Sequence, residues 1–266
     1  MYNKLQFIKE MAVQEALSIT SNTERFMAFL HTAANNYKYS FQEQLLIHAQ
    51  KPDATACAEI EVWNKLGRWV NKGAKGIALL VDRDIPYKLR YVFDVSNTNS
   101  REGRQVNLWQ MTDKHQEAVR EALENSFGEV PEELDFPRFL MQIADNAVTD
   151  NLEDYVSALE EVKAGSLLDK LDSDYLKGSL HFALVNSISY MLLTRCGIDA
   201  SQHYNYGDFA YVLDFNTGRT VSVLGVAASD IAEMVLREIE VTIRALDRAK
   251  KNQAPYICRP GRKPLS

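Results

Sequence analysis

The chain has 266 residues, 46% of them hydrophobic and 25% charged, with 30 Lys and Arg against 36 Asp and Glu for a net charge of −6. That length allows one large domain or two medium ones around a buried core, and the acidic balance excludes a protein whose whole surface attracts nucleic acid. Three cysteines, Cys57, Cys196 and Cys258, stand far apart and outside any CxxC pair, a pattern that excludes a disulfide framework or zinc knuckle and suits a reducing cytoplasm.

The opening MYNKLQFIKEMAVQEA breaks its apolar positions with charges, so no signal-peptide core is expected there. No uncharged apolar run reaches the length of a membrane span. A soluble, cytoplasmic protein with no membrane partner is the expectation. Leu5, Phe7, Ile8, Met11, Ala12, Ala16 and Leu17 recur at helical spacing and predict a helix over 2–18. Ser21-Asn22-Thr23 offers a cap for a second helix over 24–35, with Phe26, Met27, Leu30 and Ala34 inward. After the polar break at 35–40, a third helix over 41–50 turns Phe41, Leu45, Leu46 and Ala49 inward and stops at Lys51-Pro52-Asp53. A short helix over 59–66 is closed by Gly67. The runs GIALLV (76–81) and RYVFDV (90–95) read as strands, antiparallel because the connection 82–89 is too short for a parallel crossover. A third strand is expected over 106–111.

Beyond residue 111 the pattern is helical nearly throughout. Helices are expected over 112–126 with Thr112 as cap, 137–146, 152–163, 174–196 between Ser173 and Gly197, 208–212 and 221–251. The segment LHFALVNSISYMLL is apolar around most of its circumference, the mark of a buried central helix. Residues 253–266 hold three prolines and the cations Arg259, Arg262 and Lys263, the composition of an extended tail or linker. The fold class expected is therefore α+β: a small antiparallel sheet with packed helices in 1–111, a mostly helical part in 112–252, and the tail.

Signatures of catalysis are thin. The chain has no HExxH, GxSxG, P-loop or GxGxxG motif, and its five histidines never fall two to five residues apart as local metal ligands do. Neighbouring carboxylates such as Glu132-Glu133 and Glu160-Glu161 read as solvated helix faces, and His181 as a satisfied core histidine. No catalytic residue, metal ligand or cofactor is expected, and an enzyme is not.

The stretch Trp63–Gly76, WNKLGRWVNKGAKG, is different. It gathers two tryptophans, four cations and three glycines in fourteen residues with no acid. Residues 37–104 carry 11 Lys and Arg against 8 Asp and Glu, while the rest of the chain carries 19 against 28. Trp63, Trp69 and Arg68 offer stacking surfaces, and Lys72-Gly73-Ala74-Lys75-Gly76 sets two lysines around residues that let a backbone approach phosphate. Those features suit single-stranded nucleic acid. The same residues also fit a pair of core tryptophans followed by a plain turn into a strand. One buried tryptophan, with the loop cations doing the binding, is the expectation that joins the two.

Three segments carry a family resemblance: YKYSFQEQLLIHAQ (37–50), Trp63 with WVNKGAKGI (69–77), and YVFDVSNT (91–98). Together they resemble the N-terminal domain of ArdC-type antirestriction proteins, over residues 1 to about 111. The resemblance implies single-stranded DNA binding, and it carries over Tyr39, Gln42, Gln44, Trp63, Arg68, Trp69, Lys72 and Lys75, beside which Gly73 and Gly76 complete the candidate site. Such domains open large proteins of conjugative elements and phages of Firmicutes, ahead of helicase or methylase regions. In that family a zincin-like peptidase with HExxH follows. Here 185–199 (VNSISYMLLTRCGID) is similar to the family helix that supplies an acidic zinc ligand, with Asn186 where the acid is expected. The resemblance thus implies a degenerate, metal-free relative of that second domain. A non-enzymatic single-stranded DNA-binding module of a mobile element, for conjugation or antirestriction, is the leading expectation. The alternatives are a metal-dependent peptidase relative with dispersed ligands, and an acidic interaction module that docks a helicase, methylase, transfer or restriction protein.

Overall fold

Local capping signals set where the first helices begin. In the computed structural model, which describes residues 3–81, 88–100 and 106–253, helix α1 (Lys4–Ile19) is capped by the Asn3 side chain on the Leu5 N–H. Asn22 caps α2 (Thr23–Asn35) through the Glu24 and Arg25 N–H groups. Ser40 and Glu43 form a reciprocal capping box at the start of α3 (Phe41–Gln50), which ends at Lys51 beside Pro52. Each cap gives orphan backbone N–H groups an acceptor. Phe7 and Leu17, part of the helical spacing, are exposed, because α1 buries only the Ile8–Ala12–Ala16–Ile19 stripe.

The sheet is small and antiparallel, as expected. Strand β1 (Cys57–Ala58) pairs with β4 (Lys88–Asp94), and β4 pairs with β3 (Ile77–Val81) in the register Ile77 to Val92 through Val81 to Lys88. Helix α4 (Ile60–Lys65) lies between β1 and the two-residue β2 (Trp69–Val70). After a 3₁₀ turn over 95–97, β5 (Thr98–Asn99) pairs with β2 as a separate ribbon. Ile77–Leu80 and Val92 are buried against Ile8, Ala12, Leu46, Ile47 and Ala54, a small core that sets α1 and α3 on the sheet. The strand expected over 106–111 does not form among the described residues. Trp109 instead carries that segment into the helical core, where its ring is buried and its Nε1 donates to the Tyr37 hydroxyl at 3.1 Å.

Helices α5 (Asp113–Phe127), α6 (Phe136–Val162), α7 (Ser173–Arg195) and α8 (Gly218–Gln253) build the larger core. The expected pair 137–146 and 152–163 is one continuous helix. Ala147 and Val148 lie fully buried at the supposed break, whereas Thr149 and Asp150 face outward and the Asn151 amide donates to the Ala147 carbonyl. A polar triplet on the outer side of a helix is a solvated face, not an interruption. Asp172, one residue before the expected Ser173, caps α7. The apolar stretch of α7 buries Leu176, Leu180, Ala183, Leu184, Ile188 and Met191–Leu193, while Phe182 faces outward, so the helix is central but not enclosed all round. The larger core runs from Ala16 to Ile243 and so crosses residue 111 without a break. The expected tail falls outside the described residues except for Gln253, the last residue of α8. The fold is α+β, with 67% of the described residues helical.

Candidate nucleic-acid interface

The two tryptophans of 63–76 have opposite fates. Trp63, on the inner face of α4, is 2% exposed, and its Nε1 donates to the Phe93 carbonyl at 2.8 Å. This indole anchors α4 beneath β4 and offers no face to a ligand. The chain turns back at Gly67, and Trp69 emerges on β2 at 46% exposure, paired with Asn99. Arg68, between them, is fastened to the ribbon: its Nε donates to Thr98 Oγ1 at 2.8 Å and its Nη2 to the Thr98 carbonyl at 3.0 Å. The guanidinium, expected to lie beside an aromatic surface, holds β2 against β5.

Past β2 the backbone closes a turn, with the Asn71 N–H on the Asn97 carbonyl and the Ala74 N–H on the Asn71 carbonyl, at 2.9 and 3.0 Å. Gly73 takes φ +84° within it, a conformation that a side chain would strain, so glycine is needed at this turn. Lys72, Gly73 and Lys75 are exposed, and neither lysine is ion-paired among the described residues. Gly76 serves packing: a Cβ there would lie 3.0 Å from the Phe93 ring. The close approach at Gly76 is therefore to Phe93. A shallow groove of about 360 Å³ runs beside Trp69, Asn71, Lys72, Asn99 and Ser100.

The family-derived positions on α3 and before it divide. Tyr39 is half-buried, with its hydroxyl donating to the Cys57 carbonyl at 2.8 Å. Burial, with the neighbouring negative groups, pushes that hydroxyl above the usual tyrosine range. Gln44 is buried, donating from Nε2 to the Tyr39 carbonyl at 2.9 Å and accepting at Oε1 from Ser229 Oγ of α8 at 2.8 Å. Both residues join elements, and Gln44 is closed to a ligand. Gln42 lines a separate cavity of about 650 Å³ with Lys9, Phe41, Gly218 and Ser222. Of the ten positions, the structure thus brings Arg68, Trp69, Lys72, Gly73 and Lys75 onto one ribbon and turn. Trp63 and Gly76 lie beneath them, and Tyr39, Gln42 and Gln44 lie elsewhere.

A second cluster had no sequence signal. Glu240 of α8 is buried and accepts from the Tyr37 hydroxyl at 2.5 Å, Lys38 Nζ at 2.5 Å and Arg244 Nε at 2.8 Å. Burial alone would raise its pKa; the bonds from Lys38, Tyr37 and Arg244 outweigh this and hold it at about 2. Burial and the bond to Glu240 push the Tyr37 hydroxyl up. Arg195, at the end of α7, stacks on Trp109 with its guanidinium carbon 3.6 Å from the ring centroid, and it donates to the Trp109 carbonyl. Burial pushes the nearby Cys57 thiol up to about 12, so it is no thiolate nucleophile at neutral pH. Tyr37 and Lys38 are neighbours in sequence, but Glu240 is 203 positions from Tyr37, and no short-range pattern joins them.

His181 is not a core histidine. It is partly exposed and its Nε2 lies 3.1 Å from Asp145. Asn186, where the resemblance expects an acid, donates to the Asp208 carbonyl at 2.7 Å and so pins the 206–214 turn to α7. Among the described residues no three His, Cys, Asp or Glu side chains converge on one metal position, and no helix is long and apolar enough to cross a membrane. In comparisons with protein-family models, characterised proteins and solved structures, nothing matched the chain, so the ArdC-type resemblance rests on its motif residues alone.

Proposed function

We propose that the chain is a non-enzymatic single-stranded DNA-binding module of a mobile genetic element, serving conjugation or antirestriction. The observation that carries this reading is Trp69, exposed on a two-stranded ribbon and followed at once by a turn bearing Lys72 and Lys75. An aromatic platform beside unpaired cations is what a sequence-tolerant single-strand site requires, since every base has a face to stack and every nucleotide a phosphate. Asn71, Asn99 and Ser100 add hydrogen-bonding groups along the same groove. The W…KGAKG…VFDV resemblance supports the same reading and points to helicase, methylase, transfer or restriction proteins as companions.

The test is fluorescence anisotropy with a labelled oligothymidylate at two salt concentrations. Wild type is expected to bind with an affinity that falls as salt rises. Lys72→Ala/Lys75→Ala is expected to bind more weakly and with a shallower slope, by about 0.7 in log K against log salt for each phosphate that the variant no longer neutralises. Equal affinity and equal slope for the two proteins would refute the reading.

A second reading, an interaction module, has one observation in its favour. Tyr175, Phe182 and Tyr211 are exposed together on the acidic helical half, with Phe182 and Tyr211 stacked at 5.4 Å beside Asp174. Co-purification of a DNA-processing partner that survives the lysine double substitution but not Phe182→Ser would favour it.

A further inference from the structure

A cavity of about 260 Å³ opens where the end of α2, β1 and the C-terminal parts of α7 and α8 meet. Its wall includes Lys38, Cys57, Trp109, Arg195, Glu240 and Arg244, three cations against one carboxylate. Glu240 is already engaged by Lys38, Arg244 and Tyr37. Arg195 is not balanced in that way. Its Nη1 and Nη2 both turn to the single Trp109 carbonyl, each at 3.2 Å, and no carboxylate among the described residues comes within 4.0 Å of it. Arg195 is half-buried, and Glu240, the carboxylate whose charge reaches it, is already shared between Lys38 and Arg244, so this guanidinium is incompletely compensated. The planar fork also has donors to spare, in the geometry that matches an oxyanion. Lys38 and Arg244, each with side chains nearly half-exposed, stand at the rim where a bound anion would complete its coordination.

We propose that this cavity is an oxyanion-binding site, for a phosphate or carboxylate group held on Arg195 with Lys38 and Arg244 closing over it. The indole of Trp109 forms one wall and fixes the guanidinium plane by stacking on it. A purely structural Arg195, tying the Trp109 carbonyl to the end of α7, accounts for the stacking and the bonds but leaves the excess of cations without a partner. The site is separate from the Trp69 ribbon and does not rest on the DNA-binding reading. The chemistry is shared by a free small anion and by the terminal phosphate of a nucleic acid, and the experiment distinguishes them.

Thermal unfolding and titration calorimetry of the full chain are run with inorganic phosphate, pyrophosphate and succinate, each against sodium chloride at matched ionic strength. A further pair of probes is trithymidylate with a 5′-phosphate and with a 5′-hydroxyl. Wild type is expected to gain unfolding temperature from at least one oxyanion over the chloride control, since binding to the folded state alone stabilises it. Arg195→Lys, which keeps the charge and loses the fork, is expected to bind about tenfold more weakly, and Lys38→Gln by a smaller factor. Arg195→Gln is expected to abolish binding; where it unfolds, the other two variants decide. Tighter binding of the 5′-phosphorylated trinucleotide than of inorganic phosphate identifies a nucleic-acid end, and the reverse order a free anion; both support the site. Stabilisation no greater than that from chloride, or identical titrations for wild type, Arg195→Lys and Lys38→Gln, would overturn it.

Discussion

The Trp69 ribbon and the Glu240 cluster are made of the same residue types and put them to opposite uses. Each has an indole, an arginine and lysine. In the cluster a buried carboxylate gathers the cations inward, and the indole of Trp109 lies beneath a guanidinium. At the ribbon no acid enters 63–76, so Lys72 and Lys75 stay outward and the Trp69 ring remains at the surface. An acid within reach fixes where Lys38 and Arg244 sit, whereas Lys72 and Lys75 have no such partner among the described residues to place them. Arg68 marks the border: two acceptors on Thr98 tie this ribbon cation into the structure.

Three substitutions sharpen this contrast, beginning with the largest effect. Trp63→Ala removes a fully buried indole and leaves the Phe93 carbonyl without its donor, so it is expected to cost about 3–5 kcal/mol, read from urea unfolding. A loss below about 1 kcal/mol would mean that α4 is not anchored by this ring. Glu240→Gln addresses the cluster. A carboxyl held at about 2 when folded, against its ordinary 4.5, contributes stability that is full above about 4.5 and disappears as pH falls towards 2. The unfolding midpoint of wild type is therefore expected to fall through that acid window more steeply than that of Glu240→Gln; parallel curves would show that Glu240 gains nothing from Lys38, Tyr37 and Arg244. Trp69→Ala should separate binding from folding. It is expected to change stability by about 1 kcal/mol or less, while weakening oligothymidylate binding by about 1–3 kcal/mol, the worth of one stacked base. A large stability loss with unchanged affinity would make Trp69 a packing residue like Trp63.

Much of the architecture was legible because its causes are local. Asn22 and the Ser40–Glu43 box announce α2 and α3 within a few residues of the N–H groups they satisfy. The apolar runs of β3 and β4, with a short connection, allow only antiparallel pairing. Failures came where two distant surfaces decide. The break expected between 146 and 152 does not occur, because Ala147 and Val148 pack into the core and leave Thr149 and Asp150 on the outer side of one helix. The strand expected over 106–111 does not form because Trp109 finds Tyr37 and Arg195 in place of a neighbouring strand. The true partner of the Trp69 segment, Thr98–Asn99, is only two residues long and carries no periodicity of its own.

The candidate site divides along the same line. By itself the sequence determined that residues 63–76 are cationic, aromatic and rich in glycine, because composition is local and the nearest acids lie outside the stretch. Tertiary structure alone decided that Trp63 goes under β4 and Trp69 to the surface, since the choice depends on a carbonyl thirty residues away at Phe93. It also decided that Gln44 belongs to Ser229 and that Tyr37, Trp109, Arg195 and Glu240 share one cavity. Those pairings follow from helices that pack only after the chain has closed long loops, and no short-range pattern encodes them.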